Sequence, residues 1–371
     1  MNKSVFVIAF KNLFKEKGRL LITVGGVTFS VILILLLLGL YAGWSTQVKK
    51  FLGGIEAEFW VGSKGSSDLS HGISILPRKT IDQLESIEGI EKVTPFVGRQ
   101  ISFELDGQEA HVYLIGQDEG KIIKPYKIVK GSSNLSKGQI IIDEAFAQEN
   151  NLTIGDKLII QGVELKITGI SRGGNLLAYT YAISTQEDAR EALNANDYTN
   201  YFIISAPSAK GDRIAQEIKN KSPDLEIISK ESFLESNSAI VKDSFLPIIA
   251  VLLIIAFVIG ISVIGLTIYT SVIEKNREYG VLKALGYTNF QLFYIAVTQA
   301  LIAGGLGLVI GNILAPLIAR LASEFVGGFI YELNYIKIFA VSLVVIFMSI
   351  LAALIPLKKI FSIDPAEVFK A

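Results

Sequence analysis

The residues able to do chemistry are few. The chain has two histidines, His71 and His111, and no cysteine. Without cysteine there is no thiol catalysis, no disulfide and no cysteine-based zinc or iron–sulfur site. Two histidines are too few for a His-rich metal site by themselves, and both read as ordinary surface or core residues. The patterns G-x-S-x-G, H-E-x-x-H and G-x-x-x-x-G-K-[ST] do not occur. No catalytic residue, metal site or cofactor is therefore expected in this chain, and ATP-driven work would require a partner chain that binds the nucleotide and its Mg. One stretch does carry a pattern: Ile273-Glu-Lys-Asn-Arg-Glu-Tyr-Gly-Val-Leu-Lys-Ala-Leu-Gly-Tyr287. It reads as a short helix with a charged first half, an apolar second half and Gly286 as its stop. Too polar to cross a membrane and too apolar to float free, it fits either a docked partner or a surface-lying re-entry into the next apolar run.

The elements that would position this loop are membrane spans. The chain of 371 residues is 50% hydrophobic and only 19% charged, below the roughly 25% charge of soluble domains. No Asp, Glu, Lys or Arg occurs from Leu20 to Val48, Ser244 to Ile273, Ala284 to Ala319, or Ile338 to Leu357. Each run meets the ~20-residue requirement for crossing a bilayer. The first run is too long for the apolar core of a signal peptide, so it reads as a retained anchor.

Basic residues near the span ends set the orientation. The N-terminal segment, the 274–289 loop and the tail together hold 11 basic and five acidic residues, a net of +6. The rest of the chain, with 24 basic and 30 acidic residues, carries −6. Both termini are therefore expected in the cytoplasm, in a multi-pass protein of a bacterial inner membrane. Phe6, Phe10, Leu13 and Phe14 recur at helical spacing while Lys3, Lys11 and Lys15 lie largely elsewhere on the wheel. That segment is either an amphipathic helix on the inner lipid surface or a plain basic flank.

The expected architecture is four transmembrane α-helices with a large α+β extracytoplasmic domain inserted between helices 1 and 2. Its segments are a cytoplasmic N-terminal helix (1–18), a first span (19–43), the outer domain with a C-terminal stalk (44–243) and a second span (244–273). A cytoplasmic helix (274–289), a third span (290–319), a short outer loop (320–337), a fourth span (338–357) and a cytoplasmic tail (358–371) follow. Within the outer domain, Gln100–Leu105 and Gln108–Gly116 flank Asp106-Gly107, a strong hairpin pair. Lys157–Ile160 and Val163–Ile170 flank Gln161-Gly162, and Trp60–Gly62, Gln139–Asp143, Ala178–Ser184 and Tyr201–Ser205 add short strands. Ile81, Leu84 and Ile87 share a helical face, as do Ile214 and Ile218, and Ser184-Thr-Gln-Glu187 reads as a capping box opening a helix to about Ala195. Lys230–Asp243 reads as a helical stalk, and the Ser- and Gly-rich Gly62–Gly72 as a loop, either plain or a functional tip.

No ionisable residue lies mid-span, which argues against a proton-coupled carrier or an ion channel. Ala303, Gly307, Gly311, Ala315 and Ala319 recur every four residues in the third span. Such a stripe admits a close helix, either within the chain or as a homodimer seam.

The run Glu274-Lys-x-Arg-Glu-x-Gly-x-Leu-Lys-Ala-Leu-Gly286 closely resembles the signature of ABC-transporter permeases of the macrolide-exporter and FtsX-like superfamily. Asn12-Leu13, Arg19 and the Leu-rich first span resemble that family's opening. Ile140-Ile-Ile-Asp-Glu144, followed by Leu152-Thr-Ile-Gly-Asp156 and Gly169-Ile170, resembles its periplasmic core domain. Ile363-Asp-Pro-Ala-Glu-Val368 resembles its ending. The resemblance implies a homodimer in the lipid membrane, each copy bound to a separate ATPase subunit. It also implies that Glu274, Lys275, Arg277, Glu278, Gly280, Leu282, Lys283, Leu285 and Gly286 form a coupling helix seated on that ATPase. Span movement would then be relayed to the outer domain to export or extract an amphiphilic or toxic substrate, with room for an extracytoplasmic accessory protein and no nucleic acid. Trp60-Val61 and Lys64-Gly65 are similar to the DevC and haem-exporter branch. A haem-exporter permease and an FtsX-like regulator of a cell-wall hydrolase remain the alternatives.

Overall fold

A computed structural model describes residues 3–69, 74–117, 127–175, 180–207, 210–325 and 329–364. His71, Ala178, the Phe6 side chain and positions 365–368 of the terminal motif lie outside what is described. The chain opens with α1 (Lys3–Lys15) and α2 (Lys17–Gly53), then β1 (Phe59–Ser63), β2 (Leu76–Pro77) and α3 (Thr80–Glu85). Strands β3 (Lys92–Phe96), β4 (Gly98–Leu105), β5 (Gln108–Gln117), β6 (Lys127–Gly131) and β7 (Gln139–Asp143) lead to α4 (Glu144–Glu149). There follow β8 (Lys157–Ile160), β9 (Val163–Arg172), β10 (Thr180–Thr185), α5 (Gln186–Leu193), β11 (Tyr198–Thr199) and β12 (Tyr201–Ser205). Then come α6 (Gly211–Lys221), β13 (Leu225–Ser229), α7 (Lys230–Glu274), α8 (Asn276–Ala284), α9 (Asn289–Phe325), α10 (Tyr335–Leu354) and α11 (Leu357–Phe361). Two compact units result: Met1–Ala42 with Phe245–Ala322 and Tyr331–Ala371, and Gly43–Ser244 with Ser323–Ile330.

In the first unit, α2, α7, α9 and α10 are long and apolar enough to cross a membrane. Charge marks where lipid ends, whereas the helices follow their own hydrogen bonds further. Thus α9 continues past the exposed Arg320 and Glu324 to Phe325, and the expected 320–337 loop shortens. The fourth span, α10, stops at Leu354, before Pro356, which cannot donate a backbone bond. The expected stalk is the first part of α7, one helix of 45 residues, roughly 68 Å long at 1.5 Å per residue.

The small-residue stripe of α9 is buried within the chain. A Cβ on Gly307 would lie 2.6 Å from Val27 Cγ1, and one on Gly311 2.5 Å from Val31 Cγ1. The stripe is thus the seat of α2. At Gly307 and Gly311 the close helix that the stripe admits is this chain's own first span.

In the second unit, a four-stranded sheet of order β13-β1-β12-β3 and a seven-stranded mixed sheet of order β4-β5-β10-β7-β9-β6, with β8 on β9, each carry their own core. β2 and β11 form a small separate pair. Asp106 and Gly107 have positive φ, 51° and 79°, as a tight hairpin turn requires, and Gln161-Gly162 does the same between β8 and β9. The capping residue of α5 is Thr185, whose oxygen accepts from Asp188 N, rather than Ser184. Ser184 is still paired inside β10, opposite Gly116. Each stalk end is stacked on a different sheet. Phe51 of α2 lies on Tyr181 of β10 at 3.8 Å between ring centroids, and Phe233 of α7 lies on Trp60 of β1 at 4.2 Å.

Overfilling a packed contact costs about 1–3 kcal/mol. Gly307→Val should therefore lower the melting temperature of the detergent-purified chain, and adding Val27→Ala should recover part of the loss. An unchanged melting temperature in Gly307→Val would show that α9 does not pack on α2 there.

Candidate functional site

The inner loop is built on α8. A single residue, Lys275, separates it from α7, yet the hydrogen bonding continues: Lys275 N donates to Ser271 O and Tyr279 N to Lys275 O, both at 3.0 Å. At the other end Gly286 N donates to Lys283 O and Tyr287 N to Leu282 O. With φ of +94° at Gly286, this is the glycine-terminated cap that spends the last carbonyls of a helix. Thr288 and Gln291 then bond each other's backbone N–H groups reciprocally, so a capping box opens α9. The local signal for this helix start is the Thr288-x-x-Gln291 spacing.

The expected coupling residues fall on two faces. Arg277, Glu278, Leu285 and Gly286 are exposed, with Val281 at 41% and Leu285 at 73%. Gly280 and Tyr279 face inward, Tyr279 within the apolar core of the spans. Burial raises the Tyr279 hydroxyl well above the usual phenol range, helped by the Glu278 and Glu16 carboxylates. Leu282 packs half-buried against the same core. Lys283 reaches the end of α11, where its Nζ donates to Ile363 O at 2.7 Å and Phe361 O at 3.2 Å. Burial lowers its pKa, and the Asp364 carboxylate opposes the shift.

The remaining two, Glu274 and Lys275, are engaged in ion pairs. Lys275 Nζ lies 2.7 Å from Glu16, and Arg19 bridges Glu16 and Glu274, the latter at 2.5 Å. Glu16 was not singled out in the sequence; only a pairing of residues 259 positions apart gives it a role. Beside these pairs is a cavity of ≈ 20 Å³ lined by Glu16, Arg19, Thr23, Ser271 and the buried Gln299, about the room one water needs.

The outer unit holds a cavity of ≈ 650 Å³ bordered by Gln47, Asp143, Arg172, Glu324 and Phe329. Arg172 is bridged to Glu144 through two nitrogens, at 2.6 and 3.1 Å. Burial pushes the Asp143 carboxyl up to about 6, although it accepts from Ala145 N and Gly174 N. His111 stands opposite Ser102 in the β4–β5 hairpin, its Nδ1 2.9 Å from the hydroxyl. Among the described residues no three His, Asp or Glu side chains are grouped to hold a metal.

Four spans, an inserted outer domain with two stalks, and an inner loop helix with an exposed apolar face are the parts of an ABC-transporter permease. A family model described as FtsX-like permease C-terminal matches residues 250–365, and one described as MacB-like periplasmic core domain matches residues 20–221. The chain belongs to this MacB/FtsX-like family of ABC transporter permeases. It is 21% identical to an uncharacterized ABC transporter permease of Methanocaldococcus jannaschii, over 86% of each chain. It is 23% identical to the putative hemin transport system permease protein HrtB of Staphylococcus haemolyticus, over 90% of this chain and 91% of that one. Among solved structures, the periplasmic region of MacB from Actinobacillus actinomycetemcomitans aligns with a TM-score of 0.37 at 13% identity, covering 51% of this chain and 96% of that one.

Truncating a buried aromatic to Ala costs about 3–5 kcal/mol, so Tyr279→Ala should destabilise the chain severely in thermal unfolding. Tyr279→Phe, which keeps the ring, should cost no more than about 1.5 kcal/mol. Equal effects would show that the hydroxyl, not the ring, anchors α8.

Proposed function

We propose that the chain is a non-catalytic permease subunit that couples ATP hydrolysis by a separate ATPase chain to movement of its outer domain, for export or extraction of an amphiphilic or toxic substrate. The observation that carries this reading is the outward face of α8. Val281 and Leu285 are exposed between Arg277 and Glu278, on a helix whose other face is anchored in the core. An apolar pair rimmed by charges is what a protein groove would cover. The stalk ends supply the output, since α2 and α7 stack on different sheets through Phe51 and Phe233.

The working unit is a homodimer in lipid, with ATP and Mg held by the ATPase and both termini of each copy in the cytoplasm. The outer cavity beside Asp143 and Glu324 is open to an accessory protein or to the substrate. A hemin substrate is the second reading, favoured by the similarity to HrtB along most of the chain.

Val281→Asp with Leu285→Asp should abolish vanadate-sensitive stimulation of the partner ATPase in proteoliposomes while the melting temperature stays within a few degrees. Stimulation equal to that of the native chain would overturn the coupling assignment. The absence of native cysteine makes orientation directly readable. A membrane-impermeant maleimide added to intact cells should label Gln108→Cys, an exposed position, and should reach Leu285→Cys only after permeabilisation. The opposite pattern would invert the topology.

A further inference from the structure

The inner end of the first unit contains two helix breaks, each one residue long. Glu16 is the only residue between α1 and α2, and Lys275 the only residue between α7 and α8. These two residues meet as an ion pair at 2.7 Å. Lys275 Nζ also lies 3.5 Å from the carbonyl of Asn12, in the last turn of α1, where helix carbonyls lack intrahelical partners and favour a cation. Arg19, at the root of α2, joins Glu16 and Glu274, so positive and negative groups alternate across both breaks.

The burial of these groups separates them from ordinary surface pairs. The Lys275 side chain is only 10% exposed, and Arg19 and Glu16 are 21% and 26% exposed, whereas Glu274 is 62% exposed. A surface pair contributes little, but removing one partner of a buried pair strands a charge away from water. Lys275 is the buried member and Glu16 its carboxylate partner. Glu274 is the outer, replaceable one.

We propose that Glu16 and Lys275 form a hinge-to-hinge latch that delivers displacement of α8 to the first span. The second span receives that displacement through the chain itself, because α7 runs directly into Lys275. The first span is not continuous with α8; beside the apolar core they share, the polar link between them is the latch, which holds the root of α2 and the end of α1 to the same turn. Glu16 and Lys275 are thus positioning residues that make both stalks respond to one input. The relay rests on α8 being the ATPase contact; the latch itself does not.

Spin labels at Lys11→Cys and Glu278→Cys, both exposed, would report the α1–α8 distance in the full chain in lipid nanodiscs. A single narrow distribution is expected for the parent, at least a twofold broadening for Glu16→Lys and for Lys275→Glu, and recovery in the double swap. An unchanged distribution in either single variant, or no recovery in the swap, would overturn the latch. A second pair at Lys49→Cys and Glu235→Cys reports the stalks when the complex with its ATPase is trapped with ATP and vanadate. Glu16→Lys should keep ATPase stimulation within about twofold of the parent yet lose the stalk shift, and the added Lys275→Glu of the swap should restore the shift. Parallel loss of stimulation and shift would mean a purely structural bridge and would overturn the relay. A parent that shows no shift at all would overturn the ATPase reading and the relay with it, while the α1–α8 distances would still decide whether the latch exists.

Discussion

The approach of α9 to α2 at Gly307 and Gly311 sets the geometry on which the rest of the membrane unit depends. Lipid tails are as apolar as leucine, so helices in a bilayer gain little from hiding apolar area and associate through close fit instead. The missing Cβ atoms leave notches that Val27 and Val31 enter. A side chain at either glycine would push the helices apart. The position of α2 in turn places Arg19 and Glu16 at its root against Glu274 and Lys275 at the end of α7. The inner ion pairs are therefore downstream of a packing contact near the middle of the spans.

Continuity is the second constraint. Backbone groups within hydrocarbon must be satisfied inside the segment, so each span is an unbroken helix. Two of them, α2 and α7, continue past the boundary between the compact units without a break. Their outer ends carry Phe51 and Phe233, whose rings lie flat on Tyr181 and Trp60. The two sheets, with separate cores, are thus each stacked on a different long helix.

The inner loop inverts the usual division between polar outside and apolar inside. Lys275 and Lys283 turn inward, one to a carboxylate and one to the carbonyls that end α11, and Val281 and Leu285 turn outward. Such an arrangement is unfavourable in water unless something covers it. The inward cations are stabilised because each meets acceptors, Lys275 the Glu16 carboxylate and the Asn12 carbonyl in the last turn of α1, and Lys283 the carbonyls of Phe361 and Ile363.

Helix number and span position were legible in the sequence because charge is excluded from hydrocarbon whatever the fold. The Asp106-Gly107 and Gln161-Gly162 turns were legible because positive φ is a local demand. β3 was not, since its Pro95 reads against a strand, and only its place at a sheet edge makes that proline tolerable. The α8 segment was recognisable as a helix with a glycine stop, but its residues could not be sorted into faces. That sorting required knowing where the span core lies, because Tyr279 is buried by other helices and not by its neighbours in sequence. The small-residue stripe announced a close contact without naming the partner, and α2 was chosen by packing. The sequence by itself thus determined what crosses the membrane and where the chain turns, both fixed by local solvation and local dihedral limits. Only the tertiary structure decided that Glu16 meets Lys275 and that Val27 fills Gly307, because those contacts join residues that no local rule relates.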